Sequence, residues 1–367
     1  MRITRLSFAA PIFSTLLFCF CLCACQYRQE KNLYTLEDYS DVPKVDVHVH
    51  INTEDPALLE QAKEDNFYLL TINVDVPDYP PIAQQMEYAL RQKEVYPDRV
   101  FFLSTFGTDS LYEHHWEQEA LALLENSLAK GSKGVKVWKN IGMVLKKPDG
   151  AFLQIDDAAF DPVFNFLAEN KVPVCGHIGE PRNCWLPLEE MTVNNDRNYY
   201  ERHPEYHMYQ HPDYPSHEDL VAARDRLLEK HPNMKFVGTH LGSMEWSVDE
   251  IAQRLDKYPN LAVDLTARIS HLQYQSLTNW AKVRDFMIHY QDRIMYGTDL
   301  HITREHKADQ VKVNAHQTWL RDWQYLVTED SMQNNLVNGR FKGLALPREV
   351  VDKIYFHNAN QWYALGL

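Results

Sequence analysis

The sequence predicts a (β/α)₈ TIM barrel, an α/β fold built as a single domain over residues 44–367 with long loops after strands 5 and 8. Three observations carry this. From residue 44, short β-branched runs alternate with longer segments of helical periodicity, the pattern of a parallel sheet with helical crossovers. Eight such runs occur before residue 300, the number that closes a barrel. No G-x-G-x-x-G follows the first run, which argues against the competing doubly wound open sheet.

The composition is globular, with 45% hydrophobic and 24% charged residues. A net charge of −14 excludes the basic footprint of a nucleic-acid binder. Residues 1–24 precede the fold and read as a secretory signal: Arg2 and Arg5 form a positive region, and an apolar run extends from Phe8 to Cys23. The stretch Leu22-Cys23-Ala24-Cys25 resembles a bacterial lipobox, which implies cleavage before Cys25 and lipid on its sulfur. Residues 25–43 are expected to form a tether. Gln26 after the lipidated cysteine resembles sorting to the outer membrane, so the expected location is the cell envelope, with the lipid as the sole membrane contact. Outside the signal only Cys175 and Cys184 remain, and the sequence leaves their pairing open.

The first run, "KVDVHVH" (44–50), alternates valines with Asp46, His48 and His50. Strand geometry puts the valines on one face and the three polar groups on the other. Burying those groups costs several kcal/mol unless each is partnered, and one partner for two imidazoles is a metal ion. The alternative is two hydrogen-bonded core histidines. Later runs favour the metal, because strand 5 ends at His177, strand 6 at His240 and strand 8 at Asp299. In a barrel these ends meet on one rim, where active sites lie.

The intervening runs fill out the barrel. In "GVKVWK" (134–139), Val135 and Val137 suit the helix-facing side, which turns Lys136 inward and leaves Lys139 on the rim. In "LAVDLT" (261–266), Asp264 faces inward if Val263 and Leu265 face helices, and is expected to orient a ligand histidine. Asp46 is given the same role, or that of a barrel cap. Glu180 and Arg182, just after His177, are candidate substrate contacts. The segment 217–232 carries Leu220, Val221, Ala223, Leu227 and Leu228 on one helical face.

The motifs "VDVHVH", "GVKVWKN", "CGHIGEP", "VGTHLGS", "MYGTDL" and "FHNANQWY", taken in this order, resemble the amidohydrolase superfamily. The closest likeness is its amidohydrolase-related branch of hydrolases, lactonases and decarboxylases. The resemblance implies that His48, His50, His177 and Asp299 hold one divalent ion, zinc in the first instance with manganese as the alternative. It implies that His240 and Asp299 are the acid–base residues. Two-metal relatives place a carboxylated lysine at the position of Lys136; the branch resembled here is mostly mononuclear, so Lys136 is carried as a substrate contact. The expected function is a metal-dependent hydrolase that directs an activated water at a small-molecule ester, lactone or amide. Two alternatives stand beside it: a non-oxidative decarboxylase of an aromatic or unsaturated acid, and a catalytically silent, lipid-anchored binding protein. The oligomeric state is open, a dimer being compatible.

Two stretches are read as loops that shape the pocket. Residues 181–220 carry Trp185 and many tyrosines, and are read as a lid. Three histidines there (His203, His207, His211) have prolines between them and no clear register, so they are not read as a metal site. Residues 301–330 carry Arg304, Trp319, Arg321 and Trp323, read as contacts for an anionic or ring-shaped substrate, or for the tryptophans as groups buried against the barrel.

Overall fold

A computed structural model describes residues 32–367. The signal and the lipidation site at Cys25 lie outside the described residues. Eight parallel strands carry the barrel: β1 Lys44–Asn52, β2 Phe67–Ile72, β3 Val100–Leu103, β4 Val135–Val137, β5 Val174–Gly176, β6 Phe236–Gly238, β7 Leu261–Asp264 and β8 Ile294–Met295. Pairing runs β3-β2-β1 and β4-β5-β6-β7-β8. The two arcs join where Ser104 bridges Val135 and where Val47 N donates to Tyr296 O at 3.0 Å. These two contacts bring the edges of the arcs together in the arrangement of a TIM barrel.

Each strand is followed by a helix: α1 Ala57–Glu64, α2 Ile82–Val95, α3 Trp116–Ala129, α4 Asp161–Glu169, then α5 Asn194–Arg202 and α6 His217–Lys230 after β5, α7 Val248–Lys257 and α8 Ile269–His289. A short β9 (Leu300–Thr303) extends the eighth strand beside β1, and α9 spans Ala308–Val327. Helix α6 starts on a capping box, Ser216 with Asp219, and buries the apolar face read from the sequence. Each fully buried leucine there contributes about 1.5–3 kcal/mol over an exposed one.

Two layers of core follow from strand alternation. Val135, Val137, Val263 and Leu265 face the helices as predicted. The barrel interior holds Val45, Val47, Leu70, Ile72, Phe101, Leu103, Cys175, Val237, Ala262 and Met295. Trp362 and Tyr363, from the last helix α10 (Asn358–Tyr363), pack against this interior layer.

This corrects the face assignment on β1. Val45 and Val47 point into the barrel, whereas Val49 and Ile51 pack on the helices. The register of β1 against β2 slips between Asp46 and Val49. Such a bulge breaks alternation and re-aims side chains, so the two histidines point inward although Asp46 does not. Asp46 instead accepts from Trp319 Nε1 of α9 at 2.9 Å and from Thr298 Oγ1 at 2.6 Å.

Three further expectations change. Residues 32–43 are docked on the barrel and do not hang as a tether: Tyr39 and Val42 are buried, and Trp323 Nε1 donates to Thr35 O at 3.0 Å. Most of 301–330 is α9, the eighth barrel helix, and its tryptophans are core. Trp319 stacks on Phe67 with centroids 4.4 Å apart, and both Trp319 and Trp323 are fully buried. The 181–220 stretch holds α5 and several single 3₁₀ turns rather than irregular chain. No helix among the described residues is long and apolar enough to cross a membrane.

Candidate metal centre

His48 and His50 leave the C-terminal end of β1 with ring centroids 5.2 Å apart. Asp299 lies opposite, with Oδ1 3.3 Å from His50 Nε2 and 3.5 Å from His48 Nε2. The three donor atoms fall within 4.8 Å of one another, close enough to hold one ion. Strand 8 makes this approach through Gly297, where a Cβ would lie 2.3 Å from Thr266 Oγ1 and 3.1 Å from His48 Cβ. Asp299 itself is left-handed, with φ 73°, and its N–H is anchored on His48 O at 2.8 Å.

The proton positions follow from the outer contacts. His50 Nδ1 faces the carbonyl of Ile72 at 2.9 Å and donates to it, which in the neutral ring puts the lone pair on Nε2. His240 Nδ1 faces the Thr266 carbonyl at 3.0 Å with the same result. His48 Nδ1 meets Asp264 Oδ2 at 3.4 Å. Burial pushes His48, His177 and His240 well below the usual imidazole range, which keeps these rings neutral. Burial would raise Asp299, yet the His50 contact and the nearby His48 and His240 rings hold it well below the usual carboxylate range. Its side chain is 35% exposed to the cleft, so solvent also favours the anion. Lone pairs thus converge on a carboxylate, an arrangement that suits a cation at the centre.

His177 is placed beside this group and not within it. Its ring lies 4.2 Å from that of His240, and its Nε2 is buried without a hydrogen-bond partner. An orphaned buried imidazole nitrogen costs energy unless something fills it, so His177 also fits a ligand role. His240 is held by an unusual backbone. Residues His240, Leu241, Gly242 and Ser243 all have positive φ, one turn of left-handed chain. Each non-glycine there costs roughly 1–3 kcal/mol. Arg224 Nη1 on Gly242 O (2.6 Å), His217 Nε2 on Ser243 O (2.8 Å) and Asp264 Oδ1 on His240 N (2.8 Å) hold it in place. The turn folds so tightly that a Cβ on Gly238 would come within 2.8 Å of the Gly242 backbone.

Lys136 rises from β4 beneath the centre, with Nζ 3.4 Å from His48 Nε2. Cys175, Asp264 and His48 also cluster. There the His48–Asp264 contact already uses Nδ1, and burial pushes the Cys175 thiol up to about 11, so the thiol stays protonated.

Above the centre opens a cleft of about 540 Å³, lined by His177, His240 and Asp299, by Lys139, Glu180 and Arg268, and by Asn195, Tyr199 and Tyr200 among others. Lys139 is paired with Glu180 across it. The other candidate contacts lie elsewhere. Arg182 reaches Glu218 and the Trp246 ring, Trp185 donates to Pro215 O, and Arg304 sits over Tyr88. Sequence reasoning did not single out Arg268, Asn195, Tyr79 or His301. Tyr79 and His301 stack at 4.4 Å beside His50. The three lid histidines are engaged separately, His207 on Leu186 O, His211 on Pro204 O and His203 with Glu205. Cys175 and Cys184 are both free and buried.

A family model described as amidohydrolase matches residues 45–365. No curated protein matches the chain. Among solved structures, an uncharacterized TIM-barrel protein from Bordetella bronchiseptica aligns at TM-score 0.53 and 15% identity, covering 88% of this chain and 99% of that one. A 2,6-dihydroxybenzoate decarboxylase from Rhizobium aligns at TM-score 0.48 and 15% identity, covering 89% and 100%. A dihydroxybenzoic acid decarboxylase from Polaromonas, solved with manganese and 2-nitroresorcinol, aligns at TM-score 0.48 and 16% identity, covering 89% and 98%. At this identity the likeness concerns the fold.

Proposed function

The chain belongs to the amidohydrolase family, and on that footing we propose that it is a metal-dependent hydrolase of a small-molecule ester, lactone or amide. The convergence of His48 Nε2, His50 Nε2 and Asp299 Oδ1 carries the reading. With His177 they would hold one divalent ion, zinc before manganese. When bound, such an ion supplies Lewis acidity, polarising a substrate oxygen and lowering the pKa of water.

The chain's own groups do the proton work. Asp299, anionic and open to the cleft, accepts a proton from the attacking water on a carboxylate oxygen. His240 is neutral, with Nδ1 committed to Thr266 O, so its Nε2 is the free acceptor at the cleft floor. Asp264 orients both histidines, through His48 Nδ1 and the His240 N–H. The Lys139–Glu180 pair and the rings of Tyr199 and Tyr200 wall the substrate.

A lining of Asn, Arg, Lys and carboxylate groups beside the Tyr199 and Tyr200 rings suits a polar substrate of either reaction, so decarboxylation of an aromatic or unsaturated acid stands as the second reading. Turnover in ¹⁸O-labelled water decides between them. Label in the product carboxylate supports hydrolysis; release of carbon dioxide without label overturns it in favour of the carboxy-lyase. On the sequence of residues 1–25 we also propose export and lipid attachment at Cys25, to be checked by mass spectrometry of the mature N-terminus.

A further inference from the structure

Beyond β7 the chain turns sharply into the cleft. Ala267 is left-handed, with φ 54°, and Arg268 follows it. Arg268 is only 8% exposed, yet it lines the cleft together with His177, His240 and Asp299. A guanidinium offers five N–H donors in a planar fork. Here one bond is made, from Nη1 to the Ala267 carbonyl at 3.0 Å, and Nε is buried without an acceptor.

The neighbouring charges leave it unpaired. Lys139 has Glu180, and Arg202 is exposed with Nε on Asn198 O at 2.9 Å. Asp196 is taken by His271 Nε2 at 3.1 Å and Asn183 Nδ2 at 2.8 Å. Glu245 Oε1 accepts from Arg182 N at 2.7 Å, and its Oε2 stands alone. No carboxylate among the described residues lies within ion-pairing distance of Arg268, although Asp196, Glu245 and Glu180 are near enough to favour its charge. The guanidinium thus stays charged with donors left unbonded, and its open side is the cleft.

We propose that Arg268 is the anchor for a carboxylate on the substrate, so that the enzyme acts on an anionic ester, lactone or amide. This rests on the hydrolase reading for the reaction and on Arg268 alone for the anion. A fork-to-fork pair between guanidinium and carboxylate adds direction as well as strength. It would orient the scissile carbonyl toward His240 and Asp299 while leaving the anion itself untouched by the chemistry.

The test is calorimetric titration of the metal-free full-length protein with malonate, succinate and glutarate, each against its diamide. Omitting the metal removes binding through the ion, and metal analysis of the same preparation reports on the centre separately. The proposal expects at least one diacid to bind at least about tenfold more tightly than its diamide. Arg268→Met should abolish that preference and Arg268→Lys restore part of it. Binding of no diacid, or equal binding of every acid and its amide, overturns the proposal with the metal reading intact. So does an Arg268→Met protein that melts as wild type and still prefers the acid. Should that variant fail to fold, the acid–amide comparison on the wild type decides.

Discussion

His50 Nε2 and Asp299 Oδ1 face each other across 3.3 Å, with His50 Nδ1 turned to the Ile72 carbonyl at 2.9 Å. A neutral ring in that tautomer turns the Nε2 lone pair toward the carboxylate, a pairing that a cation between them would bridge. The purified chain should therefore contain close to one equivalent of divalent metal, and His50→Ala or Asp299→Ala should lower it severalfold. Metal at a hundred times its dissociation constant should stabilise the fold by about 2.7 kcal/mol, read as a rise in melting temperature over chelator-treated protein. An unchanged melt on adding zinc or manganese would count against the centre.

Asp264 touches no substrate but holds both His48 Nδ1 and the His240 N–H. Asp264→Asn preserves the volume and loses the charge. It should weaken metal affinity or activity about 10–100-fold, measured by chelator competition and turnover. An effect on melting temperature with none on metal affinity would reduce Asp264 to a purely structural role.

Asp46 and Trp319 link the first strand to the eighth barrel helix, and Asp46 also holds Thr298 one residue before Asp299. Trp319→Phe keeps the ring stacked on Phe67 but removes one of the donors to the buried Asp46, which keeps its bonds from Thr298. We expect a loss of about 1–3 kcal/mol in denaturant unfolding, accompanied by lower metal occupancy because Asp46, which anchors the Thr298–Asp299 segment, is held less firmly.

Lys44 is buried at the start of β1, with Nζ donating to Tyr39 O and Val42 O and lying 4.9 Å from the Phe67 ring centre. Burial pushes it down to about 7, with Asp65 and Asp41 offsetting part of the effect. Between about pH 7 and 10 the unfolded chain then holds a proton that the folded chain lacks, so stability rises with pH across that window. The slope should approach about 1.4 kcal/mol per pH unit. In Lys44→Met this rise should be absent, which urea titrations at pH 7 and 9.5 would reveal.

The alternation of runs and helices, the histidines at strand ends, Lys136 inside the barrel and Asp264 beside His48 could all be read along the chain. Each depends on a short-range period, two residues for a strand and 3.6 for a helix, written into neighbouring side chains. The apolar face of α6 was legible for the same reason. Helix α9 was mistaken for loop because its buried groups include tryptophans, Asp322 and Tyr325, which suggest contacts more readily than a helical core.

What local pattern cannot encode is where alternation fails and which distant groups meet. The slip in β1 that separates Asp46 from the histidines arises from its pairing with β2 and β8, not from its own residues. The left-handed turn at His240–Ser243 exists because Arg224, His217 and Asp264, far apart in the chain, hold its carbonyls and amide. Arg268 looked like an ordinary charge after a strand. Only the folded barrel shows it buried, lining the cleft and without a direct ion pair, the carboxylates nearest it lying beyond pairing distance.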